Sequence, residues 1–217
     1  TEHYASYAMA LMTAAAVFDS LPYAWIIRAA ERLYESFSSQ GEENKIYAQI
    51  EILHQFEAEM YKGELNTYTG TTPIDIVILN DPEHRKRILK CIWQQYPQLQ
   101  DKMISWLRSF IEQRPVTMSR RALETLGFFA CEDYYYFLNH IVPWIAREES
   151  SSTDMMVGQI LIILNQRDDY KKNVYNLLHV WSVEGRLHHM LAALIHFLKH
   201  QMEQLLHVEI TLMDNSH

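Results

Sequence analysis

The chain has 217 residues, which is enough to bury a sizeable core as one large domain or two small ones. Its formal net charge of −8 excludes the broadly basic surface that a nucleic-acid-binding domain presents. Gly and Pro number only 6 each, too few for a chain built from many short strands and tight turns, so the composition favours helices.

Apolar residues recur at a helical period in the first part of the chain. Trp25, Ala29 and Leu33 lie four residues apart, which predicts one buried face on a helix over 22–39. The same period predicts a helix over 43–62.

Two later segments carry the residues that start helices. In one, Thr72 is predicted to cap a helix, with Pro73 at its first position and Asp75 returning the capping bond. In the other, Asp81 and Pro82 predict a second start of the same kind.

The helical period continues through the rest of the chain, and no strand is predicted. The pattern predicts about ten or eleven helices and therefore an all-α fold. Their predicted ranges are 3–18, 22–39, 43–62, 73–80, 82–95, 97–113, 117–130, 134–147, 153–165, 170–183 and 187–208.

A spacing of 37 or 38 residues separates Trp106, Trp144 and Trp181. The strings "FFACEDYY" and "ILNQRDDY" also align after a shift of one residue, with Asp133 matching Asp169 and Tyr134 matching Tyr170. A small residue flanked by apolar ones follows each Trp within the next helical segment; these residues are Ala122, Gly158 and Ala192. One helix pair per repeat, with a large residue packing against a small one, predicts a HEAT/armadillo-like α-solenoid of antiparallel helix pairs.

Three runs carry a family resemblance: "NDPEHRKRILKCIWQQYPQLQDKMISWLRSF", "RRALETLGFFACEDYYYFLNHIVPWIARE" and "VYNLLHVWSVEGRLHHMLAALIHFL". The chain resembles the HEAT-like repeats near the C-termini of large bacterial STAND-type NTPase proteins. The resemblance implies a sensing or protein-contacting role, with any ATPase outside this chain. The chain is accordingly expected to be one helical-repeat domain over 1–217, with N-terminal helices over 1–65, repeats over 66–210 and a longer parent chain.

Sequence motifs for catalysis are missing. The six glycines are isolated, so no phosphate-binding loop is present, and neither HExxH nor GxSxG occurs. Cys91 and Cys131 lie far apart within apolar helical patterns, which predicts two buried thiols in a reducing, cytoplasmic setting rather than a zinc site. The sequence therefore predicts a non-enzyme that needs no cofactor. The longest aliphatic run, 160–164, is too short to cross a bilayer, so no membrane partner is expected.

Histidine is concentrated in the last predicted helix. His189, His196, His200 and His207 fall on one side of it, opposite its apolar stripe. His196 and His200, four residues apart, are candidate ligands of a divalent metal. The alternatives are a face that gains charge at acidic pH and a plain solvent-exposed face.

Aromatic and basic residues supply the candidate contacts with a protein partner. Consecutive helical residues cannot all face a core, so at least one of Tyr134–Tyr136 should be exposed and available for contact. The candidate contact residues are Tyr134, Tyr135, Trp144, Arg114, Arg120 and Arg121.

Three functions remain open at this point. The first is a protein-interaction, sensor or scaffold module whose partner is another protein or another domain of the same chain. The second is a metal-binding protein or metal-dependent enzyme using the histidine line. The third is a HEAT-like DNA-binding enzyme, against which the acidic charge argues.

Overall fold

The computed structural model describes residues 2–37, 49–67, 70–111, 116–141, 158 and 160–183. These residues fall into two compact units, Thr1–Ala122 and Leu123–His217. Most of them are helical, and the first unit also contains a small antiparallel sheet. The prediction of a mainly helical chain is confirmed, whereas the prediction of an all-α chain without strands is wrong.

The first unit contains helices and strands in mixed order along the chain. They are α1 (Glu2–Val17), β1 (Leu21–Pro22), α2 (Tyr23–Phe37), α3 (Gln49–Gln55), β2 (Ala58–Thr67), β3 (Gly70–Leu79), α4 (Pro82–Gln95) and α5 (Gln100–Ile111). A 3₁₀ turn over Pro97–Leu99 joins α4 to α5, and α6 (Val116–Glu132) includes the boundary between the units.

Helix α1 lies at the centre of the first unit. It contacts α2, α3, α4 and β3, and its side chains from Ala10 onward are almost all buried. On α2 the buried residues are Ile26, Ala29, Ala30 and Leu33, which confirms Ala29 and Leu33 of the predicted stripe, whereas Trp25 is only half-buried. Trp106 of α5 is buried against them, and its indole Nε1–H donates a 2.9 Å hydrogen bond to the Ala29 carbonyl.

The sheet has the strand order β1–β3–β2, and both pairings are antiparallel. β2 and β3 form a long hairpin with Ala58 opposite Leu79 and Thr67 opposite Gly70. β1 pairs only with Ile76 and Val77 of β3, so the distal half of the hairpin is a two-stranded ribbon.

The hairpin overturns two predicted helices. Within the described part of the predicted helix 43–62, residues 49–55 form α3, and the chain then turns at Phe56 and Glu57 and continues as β2. Residues 43–48 lie outside the described part of the chain. Helix 73–80 is replaced by β3, in which Thr72 and Pro73 are strand residues and not a helix start. Pro73 is tolerated because β1 does not extend to it, so its missing N–H leaves no bond to β1 unmade.

Helix α4 begins where the sequence predicts. The Asp81 side chain accepts a 2.9 Å hydrogen bond from the Glu83 N–H, and Pro82 occupies the first turn. The other carboxylate oxygen of Asp81 lies 2.9 Å from Arg87 Nη2. Asp81 therefore combines a cap with an exposed ion pair.

Replacing Asp81 by Ala should destabilise the first unit by about 1 kcal/mol, because the α4 cap is lost. Asp81→Asn is the matched control, since it keeps an accepting oxygen and loses only the exposed ion pair with Arg87, which contributes little. Urea unfolding followed by circular dichroism measures both. Equal stability of the two variants would contradict the assigned cap.

The second unit contains the end of α6, a short helix α7 (Tyr134–Tyr136) that continues as a π-helical turn over Phe137–Ile141, a helical stretch at 160–165, and α8 (Asp168–Val183). Its core includes Phe129, Phe137, Leu164 and Trp181, all at most 3% exposed.

Gly127 is a point of close approach between α6 and the 160–165 stretch. A Cβ atom built on Gly127 would lie 3.3 Å from the Ile163 Cβ and closer still to its Cδ1. Gly127 is thus a small residue that admits a neighbouring helical segment.

Gly127→Ala should overpack this contact and cost roughly 1–3 kcal/mol, offset in part by the better helix propensity of Ala, which is worth about 1 kcal/mol. Net destabilisation in thermal unfolding is expected. Ile163→Ala in the Gly127→Ala background should reverse the overpacking part of the loss, so a double-mutant cycle with no coupling would refute the contact.

No helix within the described parts of the chain combines the length and the hydropathy needed to cross a bilayer.

Candidate functional site

A cluster of tyrosines at α7 is the best-defined candidate site. The Asp133 side chain accepts a 2.9 Å hydrogen bond from the Tyr136 N–H and so caps the helix. Three successive tyrosines then point in different directions, as helix geometry requires. Tyr134 and Tyr136 are half-buried, while Tyr135 is 79% exposed.

Tyr134 is held by Tyr170, near the start of α8. Their rings stack with centroids 5.5 Å apart and planes at 30°. The Tyr170 hydroxyl donates a 2.7 Å hydrogen bond to the Cys131 carbonyl, and the Tyr134 hydroxyl donates a longer 3.3 Å bond to the Asn173 carbonyl. Each tyrosine thus bonds the backbone of the segment that carries the other.

Tyr136 is held from the other side. Its ring stacks on that of His140, with centroids 4.3 Å apart and planes at 13°. Phe137 between them is fully buried and begins the π-helical turn. Such turns are uncommon within helices and are frequent at functional sites. We call Tyr134, Tyr136, His140 and Tyr170 the tyrosine platform, because their stacking holds the helical turn from which Tyr135 projects.

Arg167 adds a positive charge beside the platform. Its guanidinium carbon lies 5.8 Å from the centroid of the Tyr170 ring. Burial raises the pKa of the neighbouring Cys131 thiol, and a hydrogen bond with Arg167 opposes that rise. At neutral pH Cys131 is therefore a protonated thiol, without the thiolate character that a nucleophile needs.

The structure places only part of the predicted contact set at this site. At this site Tyr134 packs against Tyr170, and the Tyr135 side chain projects into solvent. Arg120 is exposed and Arg121 half-buried on α6, in the first unit. The remaining predicted site residues lie outside the described part of the chain: Arg114, Trp144, His196 and His200.

Two residues of the site were missed by sequence reasoning about function. Tyr170 lies in the first turn of α8, and Arg167 immediately precedes that helix. A signal for Tyr170 was present, since the Asp-Tyr pair of "FFACEDYY" matches that of "ILNQRDDY" after a shift of one residue, which aligns Tyr134 with Tyr170. These two aligned residues stack on each other.

The evidence for the repeat stays partial. Trp106 and Trp181 are both buried, in separate units, and Trp144 lies outside the described residues. Buried tryptophans are expected of any helical core, so the solenoid remains a prediction.

A metal centre is not found among the residues that the structure describes: no three His, Cys, Asp or Glu side chains are grouped to hold an ion there. The predicted ligands His196 and His200 lie outside those residues, so the metal hypothesis stays untested.

A shallow groove of about 400 Å³ lies between α2 and α5 in the first unit. Its lining residues are Arg32, Ser36, Asp101, Lys102, Ser105, Trp106 and Ser109. The Ser36 and Ser109 hydroxyls donate to backbone carbonyls within their own helices, and Arg32 lies over the Phe110 ring. The groove is lined by both positively and negatively charged side chains, so its charge favours no single class of ligand. Tyr135 is therefore the stronger candidate for a contact site.

Comparison of the chain with protein-family models, with curated proteins and with solved structures returns no match.

Tyr170→Phe should destabilise the second unit by about 1 kcal/mol, because the Cys131 carbonyl loses its 2.7 Å hydrogen bond. Tyr134→Phe should cost less, since its 3.3 Å bond is long. Urea unfolding of the two variants compares these bonds directly. A larger loss for Tyr134→Phe would contradict the geometry.

Stability should also fall at high pH. Burial raises the pKa of Tyr134 and of Tyr170 above the ordinary value of 10.0. Below pH 10 both states keep the phenolic proton and stability is unaffected; above it the unfolded chain ionises first, so the folded state is lost as pH rises. The urea midpoint of the double Tyr→Phe variant should therefore fall less between about pH 8 and 11 than that of the wild type. If the urea midpoints of the wild type and the double variant fell equally over this pH range, the prediction would be contradicted.

Proposed function

We propose that this chain is a protein-interaction module that acts by binding and not by catalysis, and that Tyr135 is the anchor of one contact surface. The partner is another protein or another domain of a longer chain. The single observation that carries the proposal is the 79% exposure of Tyr135 on a helical turn whose neighbouring tyrosines, Tyr134 and Tyr136, are each held by ring stacking.

Exposure of this kind supports binding for two physical reasons. Tyrosine offers a large apolar ring and a polar hydroxyl, and it is enriched at the energetic centres of interfaces. In addition, a side chain on a rigid support loses little conformational entropy when it binds. Asp133 at the helix start and the Tyr134–Tyr170 stack supply that support.

The wider setting of the module rests on the sequence resemblance. HEAT-like repeats of STAND-type proteins carry sensing surfaces, and the mainly helical fold is compatible with such a region. We propose on this basis that the chain is a regulatory region of a bacterial signalling NTPase. A solenoid of helix pairs is part of the same proposal.

The proposal predicts site-specific crosslinking. A photoreactive phenylalanine analogue at position 135 should crosslink a discrete partner in cells of the native source, because its ring would replace the anchor at the interface. The matched position is 175, also an exposed tyrosine but outside the tyrosine platform. The measurement is mass spectrometry of the crosslinked species.

With the partner identified, Tyr135→Ala should weaken its binding by about 2 kcal/mol, roughly thirtyfold, whereas Tyr175→Ala should have a smaller effect. Circular dichroism of both variants controls for folding, which an exposed side chain should not disturb. Equal weakening by the two variants, or none by either, would reject Tyr135 as the anchor.

A further inference from the structure

The outer edge of β2 is the strongest feature that the proposed function leaves unused. In the strand order β1–β3–β2, no described strand pairs with this edge. The Val77 carbonyl accepts a 2.8 Å bond from the Ser20 N–H, so it faces β1 and not β2. Val77 and its partner Met60 therefore form a non-hydrogen-bonded pair. Hydrogen-bonded and non-hydrogen-bonded pairs alternate along an antiparallel ladder, so this pair fixes the type of all the others. The residues of β2 whose N–H and C=O face outward are Met60, Lys62, Glu64 and Asn66.

We propose that a second copy of this chain binds here, with the two β2 strands antiparallel about a two-fold axis at Gly63. The surface is in the first unit and does not depend on Tyr135. It would join two three-stranded sheets into one continuous sheet of both copies.

The charge pattern selects this register among those that the geometry allows. With Gly63 on the axis, Lys62 lies directly opposite Glu64 of the second copy, and the symmetry repeats the pair. An axis at Lys62 would place the lysines of the two copies opposite each other. An axis at Glu64 would do the same with the two glutamates, and like charges in opposite positions destabilise pairing. An axis at Tyr61 would place Lys62 opposite Met60.

The backbone agrees with the charges. In the Gly63 register each outward-facing residue meets an outward-facing residue, because Met60 lies opposite Asn66 and Lys62 opposite Glu64. These pairs can exchange about eight backbone hydrogen bonds across the interface. A register shifted by one residue in either strand would pair outward groups with inward ones and lose them.

One face of the hairpin supplies apolar contacts for the same register. Tyr61 and Leu65 lie on the face opposite the buried Val77, and Tyr61 is 46% exposed. The Tyr61 hydroxyl donates a 2.6 Å bond to Glu59, which fixes the ring. Each Tyr61 would then lie opposite Leu65 of the second copy.

Gly63 leaves room on that face. A Cβ at this position would collide with the Ile76 Cδ1, so the Ile76 side chain extends over the glycine toward the edge. At the two-fold axis, the Ile76 side chains of both copies would therefore cover the two Gly63 residues, which have no side chains to collide there. The resulting apolar cluster joins Ile76, Tyr61 and Leu65 of both copies.

The self-complementary order favours a second copy over an unrelated strand. An unrelated strand would have to supply complementary charges of its own. In a symmetric dimer, Lys62 and Glu64 of the same sequence complement each other across the two-fold axis. The Lys62 side chain is 86% exposed and bonds Asp75 at 2.6 Å, so it would sit between an Asp75 of its own chain and a Glu64 of the other. Charges on an edge strand also suppress pairing in every other register, which makes the edge selective.

The test uses two charge-reversed variants of the full chain, Lys62→Glu and Glu64→Lys. Each alone places like charges opposite each other twice, so each should dimerise about tenfold more weakly than the wild type. An equimolar mixture restores opposite charges at both pairs and should dimerise about as tightly as the wild type. Sedimentation velocity at low salt, over about 1–200 µM, measures all three.

Folding of the variants is checked by circular dichroism, since Lys62→Glu also removes the exposed pair with Asp75. Hydrogen exchange on the wild type gives a second, variant-free measurement: amides of Met60, Lys62, Glu64 and Asn66 should become slower to exchange as protein concentration rises. A wild-type monomer across the whole range would overturn the proposal. So would a dimer that is insensitive to both charge reversals, or a mixture no tighter than the single variants.

Discussion

The first unit depends on one helix whose side chains are small enough to be surrounded. Ala10, Ala14, Ala15 and Ala16 of α1 are at most 2% exposed, and the helix contacts α2, α3, α4 and β3. Alanine lets neighbouring backbones approach closely and loses no side-chain entropy on burial. The buried hydroxyl of Thr13 donates a hydrogen bond to the Met9 carbonyl one turn earlier, so its burial leaves no bond unmade. A helix that is covered on nearly every side fixes the positions of everything packed around it, including the base of the hairpin.

How far the sequence predicts this fold differs from element to element. The α2 stripe and the Asp81–Pro82 helix start are read correctly, because both depend on neighbours within a few residues of one chain segment. The β2 strand, "AEMYKGELNT", is rich in residues that also form good helices, and its strand conformation comes from pairing with β3. In β3 the alternation of Ile74, Ile76 and Ile78 was a true strand signal. It was overridden by reading Thr72 and Pro73 as a helix start, although Pro also suits an unpaired strand edge.

The tyrosine site shows the same division. Helix periodicity requires that three successive tyrosines cannot all be buried, and this much follows from the sequence. Which tyrosine is exposed depends on the local Asp133 cap and on the stack of Tyr134 with Tyr170, and the stack joins segments far apart in the chain. The Asp-Tyr match between the two strings pointed to an equivalence between Tyr134 and Tyr170. Their direct contact is a tertiary fact that no spacing rule provides. From the sequence one could therefore expect that at least one of the three tyrosines is exposed. The contacts that hold the turn around Tyr135 could not be predicted in this way.

The two cysteines of the chain differ in a way that makes them a natural pair of chemical reporters. Cys91 is an exposed thiol on α4, whereas Cys131 is 6% exposed and its pKa is raised by burial. A thiol-specific label under native conditions will therefore modify Cys91 first and leave Cys131 untouched until the second unit opens. One protein without any substitution thus carries a fluorophore attachment point in its first unit and an opening sensor in its second. The rate at which the second label is taken up measures the free energy that keeps α6 and α8 together around Tyr170.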